Sequence, residues 1–229
     1  MRRLPIISAT AAGVAVVAAV VQYTVPAAAP TLQRGDFTLV TSGEWWRLVT
    51  PLLVQTLGWY QVVTNLVTLA LVGAVAERSV GGARWAVLFA AGTIGGQVAA
   101  YAWGLPGGGD SIAICGLAGG MVVRLLAGPA ANRWPAAVVV CYVAALTGWG
   151  FGGIPAAGVA GIVAAVAVFA LPSPRFALLA AVGGAVALAA HADLHGVSLL
   201  SGMVAGIFCL GGALSGRRAS REGVAGYAV

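Results

Sequence analysis

The chain contains no lysine and few charges of either sign. Among 229 residues there are 12 arginines and 6 acidic side chains, so 8% are charged. A soluble domain carries about 25%, and a surface clothed in water is therefore excluded. The net charge of +6 does not indicate a nucleic-acid binder. The arginines stand mostly singly between apolar runs and form no basic stripe with interleaved aromatics. The cysteines are three, Cys115, Cys141 and Cys209, each inside an apolar run and without CxxC or Cys/His spacing. They read as small buried hydrophobes, and neither a metal nor an organic cofactor is implied. Histidine occurs twice, at His191 and His195.

What is present is apolar: 60% hydrophobic residues, 34 glycines and a mean hydropathy of +0.97. This defines a polytopic membrane protein of all-α class, because a lipid-embedded backbone must satisfy its own hydrogen bonds. The run from Leu4 to Val25 exceeds a signal h-region and reads as a retained span. Residues 26–48 form a polar connection ending in Glu44-Trp45-Trp46-Arg47, whose paired tryptophans suit an interface. Pro51 and Gly58 break the next run, so a short interfacial segment precedes a helix from Trp59. Further spans are expected at Trp85–Trp103, Ser111–Leu126, Trp134–Thr147, Ala156–Leu171, Phe176–Ala190 and His195–Leu214. Gly148–Pro155 reads as a glycine-rich turn. The expectation is one transmembrane domain of about eight spans over residues 1–216, with a polar cytoplasmic tail at 217–229.

Arginine placement orients these spans. With the N-terminus inside, Arg2, Arg3, Arg78, Arg84, Arg124, Arg133, Arg175, Arg217, Arg218 and Arg221 fall on or near the cytoplasmic side, and Arg34 and Arg47 outside. The positive-inside rule favours that arrangement, with both termini cytoplasmic. It also brings Asp110, Ser111, Asp193 and His195 to the outer side.

Ser111 follows Gly107-Gly108-Gly109-Asp110 at the mouth of an apolar helix. Helix N-termini offer unpaired N–H groups and a positive dipole end, both suited to an oxyanion. Capping by Asp110 or Ser111 would account for the same residues and can coexist with catalysis. From His195, small residues recur at Ser198, Gly202 and Gly206 on one helical face. A second narrow stripe follows Ser111 at Cys115, Ala118 and Gly119. Small faces let helices approach closely in lipid, and facing stripes would bring the hydroxyl to the imidazole, a nucleophile–base pair for acyl transfer. His191, one turn earlier, is the alternative base. Gln61 and Asn65 share a helix face and either bond neighbouring helices or donate to an oxyanion. Glu77 lies at the cytoplasmic end, as a cap or as a partner for Arg78 or Arg84.

These motifs resemble the rhomboid intramembrane serine proteases. Trp46-Arg47 is similar to that family's Trp-Arg. Gln61 and Asn65 match its His-x-x-x-Asn with glutamine for histidine. Gly73, Glu77 and Gly81 match Gly-x-x-x-Glu-x-x-x-Gly. Gly109 to Gly116 resembles Gly-x-Ser-Gly-Ala-x-x-Gly, with Ile112 for the glycine after the serine. His195, Ser198 and Gly202 match His-x-x-Gly-x-x-x-Gly, with serine for the first glycine. The likeness covers about residues 43–128 and 192–216, and about two more spans than the usual six-helix core separate Ser111 from His195.

The resemblance implies a Ser–His dyad without a third acid, cutting transmembrane segments of membrane proteins near their outer ends in the cell membrane. Ser111 would be nucleophile and His195 general base. Asn65, the Ser111 N–H and Gln61 would line the oxyanion hole. The alternatives are an inactive rhomboid-like protein that binds membrane clients and, less in keeping with a chain lacking evident repeats, a small transporter.

Overall fold

The computed structural model describes residues 4–128 and 133–225, with side chains described through Cys209. Arg2, Arg3, Pro129 and residues 226–229, named in the span and topology reading, lie outside the described residues. No strand occurs among the described residues beyond a two-residue bridge, Arg34 with Gly107. The fold is an all-α membrane bundle.

Helix α1 (Ile6–Thr24) leads into two short helices, α2 (Ala28–Leu32) and α3 (Phe37–Thr41). Two 3-10 turns, Trp45–Leu48 and Thr50–Leu53, form the short segment expected before Trp59. Helix α4 (Trp59–Thr68) passes through a π turn (Leu69–Gly73) into α5 (Ala74–Val80), followed by α6 (Gly82–Ala102) and α7 (Ser111–Ala127). Helix α8 (Arg133–Ala170) precedes α9 (Arg175–Ala190) and α10 (Leu194–Ala225). A helical segment thus stands at each expected span. Ile6–Thr24, Trp59–Val80, Gly82–Ala102 and Arg133–Ala170 are long and apolar enough to cross a membrane, whereas Ser111–Ala127, Arg175–Ala190 and Leu194–Cys209 are shorter.

One expected connection is revised. The glycine-rich turn at 148–155 shrinks to Gly153, whose φ of +69° folds α8 back on itself while its neighbours stay helical. Glycine takes that conformation without the Cβ clash other residues meet. Arg133 ties the two ends of the hairpin, donating to the carbonyls of Val168, Phe169, Leu171 and Pro172. Helix α10 runs through residue 225, into the stretch expected as a polar tail.

Helix α7 is the centre, buried at every position from Ile112 to Val122. Its neighbours α6 and α10 reach it backbone to backbone. A Cβ on Gly92 would lie 2.5 Å from the Gly116 Cα, and one on Gly202 would strike the Gly116 carbonyl. Gly116, Gly119 and Gly120 therefore lie in the contact face of α7; of the expected stripe, Gly119 lies there and Cys115 does not. Cys115 turns toward α8 and meets the Tyr142 hydroxyl at 3.4 Å. On α10 the expected face of Ser198, Gly202 and Gly206 is the one that packs inward.

Helix α1 is docked at both ends. Glu77 accepts from Ile7 N (3.0 Å), Ser8 N (2.8 Å) and the Ser8 hydroxyl (2.8 Å). Glu77 is thus a cap for the first helix, where a carboxylate meets unpaired N–H groups, and not a partner of Arg78 or Arg84. At the other end Gln22 exchanges two hydrogen bonds with the Gln55 backbone, at 2.9 and 2.8 Å. Trp46-Arg47 orders the polar connection. Arg47 pairs with Glu44 at 2.6 Å and donates to the carbonyls of Pro30 and Gln33.

Candidate active site

The loop before α7 carries the site, and its backbone explains its glycines. Gly107 and Gly109 have φ of +119° and +143°, and a Cβ on Gly108 would lie 2.7 Å from the carbonyls of Pro51 and Val54. The loop is fastened at Gly107 by a two-way backbone pair with Arg34 (2.8 and 3.0 Å) and at Gly109 N by Pro51 O (2.8 Å).

Asp110 precedes the helix but does not cap it with its side chain. Its Oδ1 instead accepts from Gln55 Nε2 (2.9 Å) and Asn65 Nδ2 (2.8 Å). Asn65 Nδ2 also donates to Gln55 Oε1 at 2.8 Å, so both its amide hydrogens are committed. Gln61 Nε2 donates to Gly108 O at 2.9 Å, and its Oε1 accepts from Leu57 N at 2.9 Å. The two amides singled out in the sequence thus clamp the serine loop to α4. Gln61 has a second amide hydrogen, and no acceptor for it occurs among the described residues.

Ser111 and His195 meet. The Ser111 Oγ lies 3.0 Å from His195 Nε2, across 84 residues of sequence and within hydrogen-bond reach of a nucleophile–base pair. His195 Nδ1 lies 2.7 Å from Asp193 Oδ1, which also accepts the His195 backbone N–H at 2.8 Å. Burial raises the Asp193 carboxyl, but the hydrogen bonds and charge of His195 outweigh it and hold the group below its ordinary value. The edge of Trp149 packs on the imidazole, with ring centroids 5.9 Å apart at 70°. Tyr142 Oη donates to Ser111 O at 3.3 Å. His191 does not enter: it is exposed, with its ring 5.0 Å from that of Phe151.

Ser111, His195, Gln61, Asn65 and Ile112 line one cavity of about 320 Å³. Ile112 fits beside the serine because α6 presents Gly96 to it, where a Cβ would fall 2.7 Å from the isoleucine Cγ2. The branched side chain replaces glycine in the motif without displacing the hydroxyl from the imidazole. The N–H groups of Ser111 and Ile112, the first two of the helix, have no acceptor among the described residues. Sequence reasoning missed Gln55, Trp149, Tyr142 and the contact made by Asp193. Only the last had a signal: an aspartate just before a helix is an N-cap, and its carboxylate reaches the residue two further on.

An α-helical membrane bundle with a serine at the mouth of its central helix and a histidine from the last defines a class of membrane protein. The Rhomboid domain model matches residues 42–192, and the chain belongs to the rhomboid family. Rhomboid protease GluP of Bacillus subtilis (strain 168) is 34% identical over 86 residues, 37% of this chain and 17% of that protein. The candidate rhomboid protease YdcA of the same organism is 32% identical over 83 residues, 34% of this chain and 41% of that protein. The chain therefore aligns with less than half the length of either curated relative. No solved structure matches it.

Proposed function

We propose that this chain is an intramembrane serine protease, cutting transmembrane segments of membrane proteins near the outer face of the cell membrane. The observation that supports this most is the 3.0 Å approach of the Ser111 hydroxyl to His195 Nε2 within a cavity. Ser111 Oγ attacks the scissile carbonyl while its proton passes to His195 Nε2, which returns it to the leaving amine. A water activated by the same nitrogen then releases the acyl group. Negative charge on the carbonyl oxygen would be met by the Ser111 and Ile112 N–H groups at the positive end of α7 and by the second amide hydrogen of Gln61. Asn65 could donate only by releasing Gln55 or Asp110. The arginine distribution supports cytoplasmic termini and a cavity opening outward, and lipid bilayer and membrane-protein substrates are the partners this implies.

Commitment of both Asn65 hydrogens favours a second reading, a rhomboid-like protein that binds membrane clients without cutting them. A fluorophosphonate probe separates the two. The protease predicts covalent labelling of the wild type and none of Ser111→Ala. Equal labelling of both, or none of either, would favour the client binder.

A further inference from the structure

We propose that Asp193 is a positioning residue of the Ser111–His195 pair, fixing the imidazole tautomer and sharing the charge that forms on the ring. This goes beyond the two-residue site that the resemblance implies, and it rests on the proteolytic reading above. A carboxylate only accepts hydrogen bonds, and a neutral imidazole has one donor and one acceptor nitrogen. With Asp193 Oδ1 at 2.7 Å, Nδ1 must carry the proton. Nε2 is then left with its lone pair, aimed at the Ser111 hydroxyl 3.0 Å away. The other tautomer would put N–H at Nε2, and that nitrogen could not take the serine proton.

The placement is built rather than incidental. One oxygen of Asp193 takes both the backbone N–H and the ring N–H of His195. The Asp193 backbone is itself held by Leu188 O at 3.0 Å. Trp149 closes the ring from α8. The side chains of His195 and Asp193 are only 12% and 20% exposed, so water screens their contact weakly.

In the acylation step the Oγ–carbonyl carbon bond forms, and the Oγ proton moves to Nε2. The Nδ1 proton stays on Nδ1, and the imidazolium stands against the carboxylate. Nε2 then protonates the amine as the C–N bond breaks. In deacylation a water proton goes to Nε2, its oxygen bonds the acyl carbon, and the proton returns to Oγ as that bond breaks. The other titratable groups around the pair are Asp110 in the loop before α7, Cys115 on α7, Tyr142 on α8, His191 in the same turn, and Arg34 and Tyr60 in the cavity wall, and none of them reaches Nδ1 among the described contacts.

The test compares Asp193→Asn with the wild type and Ser111→Ala in proteoliposomes carrying a transmembrane substrate. Asparagine caps helices as well as aspartate does, so the fold should persist, as thermal unfolding would report. The expected result is a kcat lower by about 100-fold or more, with KM little changed, an acid limb of the pH profile moved to lower pH, and partial rescue by Asp193→Glu. An unchanged kcat and pH profile would overturn the proposal while leaving the serine protease intact. If wild type and Ser111→Ala cleave alike, the proteolytic reading itself fails. Ring 15N spectra of His195 judge the tautomer independently of activity: the proton on Nδ1 is expected, and a proton on Nε2 in the neutral ring would overturn the proposal.

Discussion

Asp110, Gln55 and Asn65 form a closed polar cluster directly beneath the serine. Asp110 is 5% exposed, and its Oδ1 accepts from two amide donors. Asn65→Ala removes one and leaves a buried acceptor short of a partner, at a cost of about 1–3 kcal/mol. The expected outcome is a lower melting temperature in detergent together with slower probe labelling of Ser111, because the loop that aims the hydroxyl loses one of its two tethers to α4 and keeps only that from Gln61. Unchanged melting and labelling would contradict that linkage. Much of the candidate site was legible at this scale. Ser111 and His195 stood out as a hydroxyl at a helix mouth and an ionisable group at the start of another. Gln55 was not legible, because it lies between a 3-10 turn and a helix, where no periodicity shows which way a side chain points. Asp193 was seen on the outer side, but its contact with the ring depends on the turn joining α9 to α10.

The three helices α6, α7 and α10 depend on the absence of side chains where they cross. A methyl at Gly116 would collide with the Leu88 carbonyl and lie 2.7 Å from the Gly92 Cα. The neighbours there are backbone and cannot rotate away, so Gly116→Ala should destabilise by about 1–3 kcal/mol or more. Gly13→Ala on α1, where nothing lies within 4 Å, should be near neutral. Thermal unfolding of the two variants checks this, and equal stability would contradict the crossing. The small-residue face was legible in kind and register on α10 but only in kind on α7. A stripe counted from Ser111 selects Cys115, whereas burial on all sides lets α7 offer Gly116 to two helices and Cys115 to a third. The same limit applies to α8. Its eight-residue glycine-rich stretch looks like a loop, yet the residues on either side of Gly153 stay helical and only Gly153 takes a positive φ.

Across the whole molecule, hydropathy and proline–glycine breaks marked where each helix lies, because lipid leaves the backbone few other choices. What hydropathy cannot convey is how the helices are arranged. The segments between Ser111 and His195 look like an interruption of a six-helix core, and in space they supply Trp149 and Tyr142 to the site. That arrangement matters only if the cavity serves hydrolysis. The most direct measurement is cleavage of a single-span substrate in proteoliposomes, with the cut mapped by mass spectrometry. The account predicts scission within the outer portion of the substrate's span by the wild type and none by Ser111→Ala or His195→Ala. Cleavage that survives either substitution, or an intact substrate throughout, would contradict it.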